Sequence, residues 1–343
     1  MTSPFTVALA DHLWQSTLFA AVVGCLALLL RRNGARLRCL LWLVASAKFL
    51  IPFALLTAIG ARLPWSVGIL QGTEPVFSSF AARTAAHLGG RALTACAAVW
   101  AIGTLVILAH GYVRWRAIRE SLRASTPTDL AFVIPVRLSA SRMAPGVVGI
   151  LRPVLLLPRG IEARLTAAEL RAVLAHERCH VAWQDNLAAA AHMLVQALLW
   201  FHPLIWWVGV RIIVERERAC DQQVLADGHA PEGYAEGIVK VCEHYLETGL
   251  ECVAGIGGAN LNRRIADILE NRPIERTTRV RKLMIALAAC GTFAVPVALG
   301  VRTAPQALAA KATSGMYLGP PRTWELRNEV WLGFPDPLPQ SRH

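Results

Sequence analysis

Charged residues are what this chain has least of. Only 17% of its 343 residues carry charge, against 55% that are hydrophobic, and the mean hydropathy is +0.42. That balance excludes an ordinary soluble domain, in which about a quarter of the residues are charged. Acidic residues are scarcer than basic ones, 23 against 35, for a formal net charge of +12. No nucleic-acid-binding module accompanies the excess, so the sequence predicts no direct nucleic-acid partner. The eight cysteines lack the spacing of a secreted disulfide framework. The first apolar run does not read as a cleaved secretory signal: no basic residue precedes it, it is too long, and it contains Asp11 and His12.

What the chain does have is long apolar stretches. Three of them, 5–30, 39–59 and 92–113, match the roughly 20 residues needed to span a bilayer as a helix. A fourth, at 283–302, is shorter and interrupted by Pro296. Arg31, Arg32, Arg36 and Arg38 lie between the first two, Arg114, Arg116, Arg119 and Arg123 follow the third, and Arg276, Arg279, Arg281 and Lys282 precede the fourth. All three clusters fall on one side if the N-terminus faces outward, which the positive-inside rule makes the cytoplasm. The reading is therefore a mainly α, integral-membrane protein with the lipid bilayer as a partner. Residues 1–113 form a membrane domain of three transmembrane helices, 114–282 a cytoplasmic domain, 283–302 a fourth span and 303–343 a short extracytoplasmic tail. Cys25, Cys39, Cys96 and Cys290 then lie in the membrane, and Cys179, Cys220, Cys242 and Cys252 in the reducing cytoplasm. Lys48, deep in the second span, is expected to pair with Asp11 in the first.

The chemistry sits in His176-Glu177-Arg178-Cys179-His180, an H-E-x-x-H pattern. Thr166 and Glu169 form a T-x-x-E capping box ahead of it, and no Gly or Pro interrupts 165–191, so the motif is expected well within a helix. Residues four apart share a helix face, so both imidazoles can hold one Zn²⁺ with Glu177 beside them. The third ligand is expected from Glu217, in the E-x-x-x-D pattern ending at Asp221 on a second helix. Asp221, one turn along, would accept a hydrogen bond from a ligand imidazole. Glu215 competes, but faces about 160° away from Glu217 at roughly 100° per residue. Cys179 and Cys220 are weaker candidates as soft ligands, Cys179 being turned about 100° off the ligand face. Zinc held by His176, His180 and Glu217 would lower the pKa of a water, and Glu177 would act as catalytic base on it.

The apolar run 187–214 is long enough to span, but a span would separate His180 from Glu217 across the membrane. Pro203 breaks it, so a helical hairpin dipping into the inner leaflet is expected, with Trp200, Trp206 and Trp207 at the interface. Ahead of the zinc helix, 147–157 has strand character. Its prolines suit an edge strand, on which an extended peptide could pair, or a short structural hairpin.

Several ordered blocks carry a resemblance. The run from Pro145 to Pro158 (PGVVGILRPVLLLP), the H-E-x-x-H motif, Asp185-Asn186, the run from Trp200 to Trp206 (WFHPLIW) and the Glu217–Asp221 motif follow one another at suitable spacing. Together, 145–227 resembles the metallopeptidase domain of the BlaR/MecR-type sensor-transducers, bacterial integral-membrane zinc proteases. The resemblance implies a cytoplasmic zincin-like α+β metallopeptidase domain in the bacterial cytoplasmic (inner) membrane. It again implies His176, His180 and Glu217 as zinc ligands and Glu177 as base. It further implies signal transduction by cleavage of a cytoplasmic winged-helix repressor and self-cleavage, for which the Arg-rich 271–282 is a candidate region. A homodimer is compatible with it. The departure lies at the C-terminus, where 303–343 replaces the family's penicillin-binding sensor and no S-x-x-K motif occurs anywhere. Two other readings compete: a housekeeping membrane zinc protease resembling the prenyl-protein-type peptidases, and a catalytically silent membrane adaptor. A neighbouring repressor gene would separate the first from the signalling protease, and the intact Glu177 speaks against the second.

Overall fold

The computed structural model describes residues 4–51, 59, 90–139, 146–247, 258–270 and 290–291. The chain divides into two compact units, and the one formed by 1–54 and 72–292 carries every element below. The other unit lies, apart from Ile59, outside the described residues, as do the expected tail and, apart from Cys290 and Gly291, the fourth span. The candidate self-cleavage region 271–282 lies outside them too.

The described chain is mostly helical. Helices α1 (Pro4–Leu29), α2 (Ala35–Leu50) and α3 (Gly90–Ala124) precede a four-stranded sheet. Its strands are β1 (Thr126–Pro127), β2 (Val136–Ser139), β3 (Gly146–Val148) and β4 (Val154–Pro158). Six helices follow: α4 (Ile161–Arg164), α5 (Ala167–Ala182), α6 (Asp185–Leu198), α7 (Pro203–Ala226), α8 (Pro231–Glu247) and α9 (Gly258–Glu270).

By length and composition α1, over His12–Leu29, and α3, over Ala92–Ala124, can each cross a membrane. Very little of the α3 stretch is buried, and exposed side chains such as Ile102, Leu105, Val106 and Val113 make an apolar surface that suits lipid better than water. The helix α2 has 16 residues as described, and the expected second span runs on beyond Ile51 into residues outside the described set. Arg36 and Arg38 lie within α2, not in the link before it. Lys48 is buried and donates to the Ile51 carbonyl at 3.3 Å; the side chain of Asp11, its expected partner, lies outside the described residues.

Three apolar clusters hold the elements together. Val23, Trp42, Phe49, Val195, Ile205 and Val208 join α1, α2, α6 and α7. Ala172, Val224, Tyr234, Ile238 and Ile268 join α5, α7, α8 and α9. Val136, Leu155, Leu157, Ile161 and Val173 pack the sheet on α4 and α5. At about 1.5 Å per residue, the 24-residue α7 is about 36 Å long. It buries Ile205 and Val208 in the first cluster and Val224 in the second, so its middle is fixed from both ends.

The sheet order is β1-β2-β4-β3, with β2 and β4 parallel and both outer pairings antiparallel. Of the two readings of 147–157 the hairpin forms, with β3 on the edge and β4 inside. Pro153 falls in the turn, where its missing N–H costs no ladder bond. Gly149 makes that turn at φ 96°, where a Cβ would come within 2.8 Å of the Arg152 carbonyl oxygen.

The motif lies within a helix as expected, and the uninterrupted stretch 165–191 holds two of them. The capping box forms as read, with the Thr166 hydroxyl accepting from the Glu169 amide and the Glu169 carboxylate accepting from the Thr166 amide. The first helix then stops at Ala182. Gln184 adopts a left-handed conformation (φ 55°, ψ 41°), and a new helix begins at Asp185. Among the described residues no other non-glycine has a positive φ, so neither Gly nor Pro marks this break. Where the run 187–214 was expected to fold back, α6 and α7 flank a turn at 199–202, with Pro203 in the first turn of α7. Trp200 lies against Gly103 of α3, and its indole N–H donates to the Trp100 carbonyl at 3.2 Å.

Candidate metal centre

Four-residue spacing on α5 brings His176 and His180 together with their rings crossed at 83°. Their Nε2 atoms are 3.1 Å apart. Two ring nitrogens at that separation are bridged either by a hydrogen on one of them or by a metal ion bound to both. From α7 the Glu217 carboxylate closes on the same point, Oε2 at 3.4 Å from His176 Nε2 and Oε1 at 4.0 Å from His180 Nε2. A tetrahedral ion about 2.0–2.1 Å from its ligands keeps those atoms about 3.3–3.4 Å apart, so the three residues fit zinc with little adjustment. Glu177 is buried next to them, and its Oε2 has no hydrogen-bond partner. An orphaned carboxylate oxygen there suits a base that works on water.

His176, His180 and Cys220 also form a potential ligand group, with ligand atoms within 4.8 Å of one another. The Cys220 sulfur, however, lies 3.5 Å from Nδ1 of His180, across the ring from the Nε2 that faces Glu217. In the metal-free fold its hydrogen bond with Cys179 and its burial hold its thiol well above the ordinary value. Cys179 donates to the Ala175 carbonyl at 3.4 Å. Glu217 is therefore the better third ligand on geometry. Glu215, the competing carboxylate, is 1% exposed and bound to Arg38 of α2 at 2.8 Å and to Arg211 at 2.9 Å.

The supporting residues come from four helices. Asp185, in the first turn of α6, reaches His180 Nδ1 at 2.6 Å. Beside it, Asn186 donates to the carbonyls of Val147 at 2.9 Å and Gly149 at 2.8 Å, tying the edge strand to the same turn. Asp221 is near His176 as expected, with Oδ1 3.2 Å from Nδ1. The Tyr234 hydroxyl of α8 is closer, 2.8 Å from that nitrogen and 2.6 Å from Asp221 Oδ1. Arg264 of α9 grips Asp221 with Nε at 2.8 Å and Nη2 at 2.7 Å, and its Nη1 lies 3.6 Å from Glu217 Oε2. Sequence reasoning assigned no role to Asp185, Asn186, Tyr234 or Arg264. The Asp185-Asn186 block was the single signal that could have found two of them.

Electrostatics follow this arrangement. Burial alone would pull His176 down, but Asp221 and Glu217 hold it up to about 9. Burial would raise Glu217, yet His176, His180 and Arg264 keep it well below the usual carboxylate range. Burial would raise Asp221 as well, and Arg264 with His176 brings it down to about 2. Tyr234 is pushed well above its ordinary value by burial and by the Asp221 charge, and keeps its proton. In the metal-free fold the charged carboxylates are thus balanced by protonated His176 and by Arg264, and a metal ion entering here displaces the His176 proton.

Comparison with known proteins agrees. The family model described as BlaR1 peptidase M56 matches residues 11–268. The regulatory protein BlaR1 of Bacillus licheniformis is 28% identical over 144 residues, 37% of this chain and 24% of that protein. The methicillin resistance mecR1 protein of Staphylococcus aureus is 21% identical over 213 residues, 56% of this chain and 36% of that protein. The chain therefore matches about a quarter to a third of the length of these relatives. The family match runs through α5 and α7 alike, and with both helices inside it the chain belongs to the BlaR1 M56 peptidase family.

Proposed function

We propose that this protein is a membrane-embedded zinc metalloendopeptidase of signal transduction, cleaving a cytoplasmic winged-helix repressor and itself. The observation that carries the reading is the convergence of His176, His180 and Glu217 beside the unpartnered oxygen of buried Glu177. A zinc ion bound by these three ligands supplies Lewis acidity, lowering the pKa of water and polarising the scissile carbonyl. Glu177 accepts the proton of the attacking water and returns it to the leaving amine. Asp185 and Asp221 hold the two imidazoles in place from behind. The edge strand β3, fixed by Asn186, is the surface against which an extended substrate is laid.

The names of the relatives, a regulatory protein and a methicillin resistance protein, support a regulatory role. The apolar exposed face of α3 and the arginine clusters support an inner-membrane location, N-terminus outside and peptidase domain in the cytoplasm. The exposed faces of Trp206 and Trp207 support a shallow hairpin of α6 and α7 at the inner leaflet. The test compares proteomes of cells carrying wild-type and Glu177→Ala protein. Repressor fragments present with the wild type and missing with the variant are expected; identical fragment sets would refute the peptidase reading.

A further inference from the structure

A metal ion on Nε2 of His176 leaves that ring's proton on Nδ1, and a buried N–H must be given to an acceptor. The nearest acceptor is not Asp221, at 3.2 Å, but the Tyr234 oxygen at 2.8 Å. The phenol has one proton of its own, and Asp221 Oδ1 at 2.6 Å takes it. Asp221 is in turn held by the two-pronged grip of Arg264, whose Nη2 also lies 3.4 Å from both nitrogens of the His176 ring. The shortest links in this chain run imidazole to phenol, phenol to carboxylate and guanidinium to carboxylate, and Arg264 Nη2 also reaches the Tyr234 oxygen at 3.4 Å. Tyr234 is 1% exposed, and the side chains of His176, Asp221 and Arg264 are 8–9% exposed, so water does not substitute for any link.

We propose that Tyr234 and Arg264 are positioning residues of the metal centre, orienting His176 through the juxtaposed Tyr234 hydroxyl and Asp221 carboxylate. The centre is then completed by α8 and α9, helices that carry no ligand. The proposal rests on the metal reading given above and deepens it. Arg264 does two jobs at once, because its fork fixes the Asp221 carboxylate plane while Nη1 approaches Glu217 one helical turn away. A lysine could supply the charge but not the fork.

The test uses the full chain in detergent and zinc alone as the probe, with affinity read by chelator competition. Removing a partner behind a ligand imidazole weakens metal binding about 10–100-fold, and Tyr234→Phe and Arg264→Ala are expected in that range. Arg264→Lys is expected to stay weak, and added guanidinium ion to restore Arg264→Ala in part. Arg218→Ala breaks the 3.2 Å pair with Asp267 of α9 and a longer 3.7 Å one with Glu215, which keeps Arg38 at 2.8 Å and Arg211 at 2.9 Å; it leaves the relay untouched and is expected to bind zinc as the wild type does. The visible spectrum of the Co²⁺-loaded protein should shift in Tyr234→Phe, a change a general loss of packing would not produce. If Arg264→Ala fails to fold, Tyr234→Phe, which removes one oxygen atom, still decides. Zinc affinity within twofold of wild type in Tyr234→Phe, or equal weakening by Arg218→Ala, would overturn the proposal alone. A wild type that takes up no zinc would overturn the metal assignment and the proposal with it.

Discussion

Replacing Arg38 by alanine should cost this protein far more than an arginine in a short link would suggest. Its guanidinium Nε lies 2.8 Å from Glu215 Oε2, with the two side chains 6% and 1% exposed. Its Nη1 also donates to the carbonyls of Leu30 at 3.1 Å and Asn33. Removing one partner of a buried ion pair costs about 3–5 kcal/mol, because the other charge is left stranded. Arg211 remains 2.9 Å from Glu215 and is one-third exposed, so the lower end applies, about 3 kcal/mol. Removing both charges in Arg38→Met with Glu215→Leu leaves no stranded ion and should cost much less, within about 1–2 kcal/mol of wild type. Chemical unfolding in detergent micelles, run as a double-mutant cycle, measures both values. A loss below about 1 kcal/mol for Arg38→Ala, or a double variant as unstable as the two single losses together, would refute the buried-pair reasoning. The pair also joins α2 to α7 two residues before Glu217, so Arg38→Ala should lower zinc affinity as well.

Three further outcomes follow from particular contacts. A Cβ on Gly103 would lie 2.1 Å from the Trp200 ring, so Gly103→Ala should cost about 1–3 kcal/mol and expose Trp200, read as a red shift in tryptophan fluorescence; an unchanged spectrum and stability would contradict that packing. Thr166→Ala removes the cap of α5 and should cost about 1 kcal/mol in thermal or chemical unfolding, with Thr166→Ser near wild type. Asp221 titrates at about 2 in the metal-free fold against an ordinary 3.8. A depressed pKa means the stabilisation is complete above the ordinary value and is lost as pH falls through 2. About 2 kcal/mol of acid stability should therefore be missing from Asp221→Asn at neutral pH, and the two proteins should converge near pH 2; parallel acid curves would contradict it.

What the sequence made legible was local. The shared face of His176 and His180, the Thr166–Glu169 box and the Glu217–Asp221 turn all depend on helical spacing of three or four residues, which is readable without a fold. The break at Gln184 was not readable, because a left-handed glutamine carries no Gly or Pro signal, and with it the approach of Asp185 to His180 was lost. Tyr234 and Arg264 reach Asp221 from helices 13 and 43 residues further along, contacts that exist only after α8 and α9 dock. Arg38 was read by its sign alone, as one of a cytoplasmic cluster, although it is buried against Glu215. Between an edge strand and a short hairpin at 147–157 the sequence does not choose, because Pro153 reads equally as a strand or a turn proline until the turn at Gly149 is seen.

The central claim is that Glu177 acts as the base of a zinc peptidase held by His176, His180 and Glu217. The most direct measurement is cleavage of the candidate repressor by purified wild-type and Glu177→Ala protein at matched zinc content. Glu177 is not among the three proposed ligands, so the variant should bind zinc as the wild type does and lose at least about 100-fold in rate. Equal rates at equal zinc content would contradict the account.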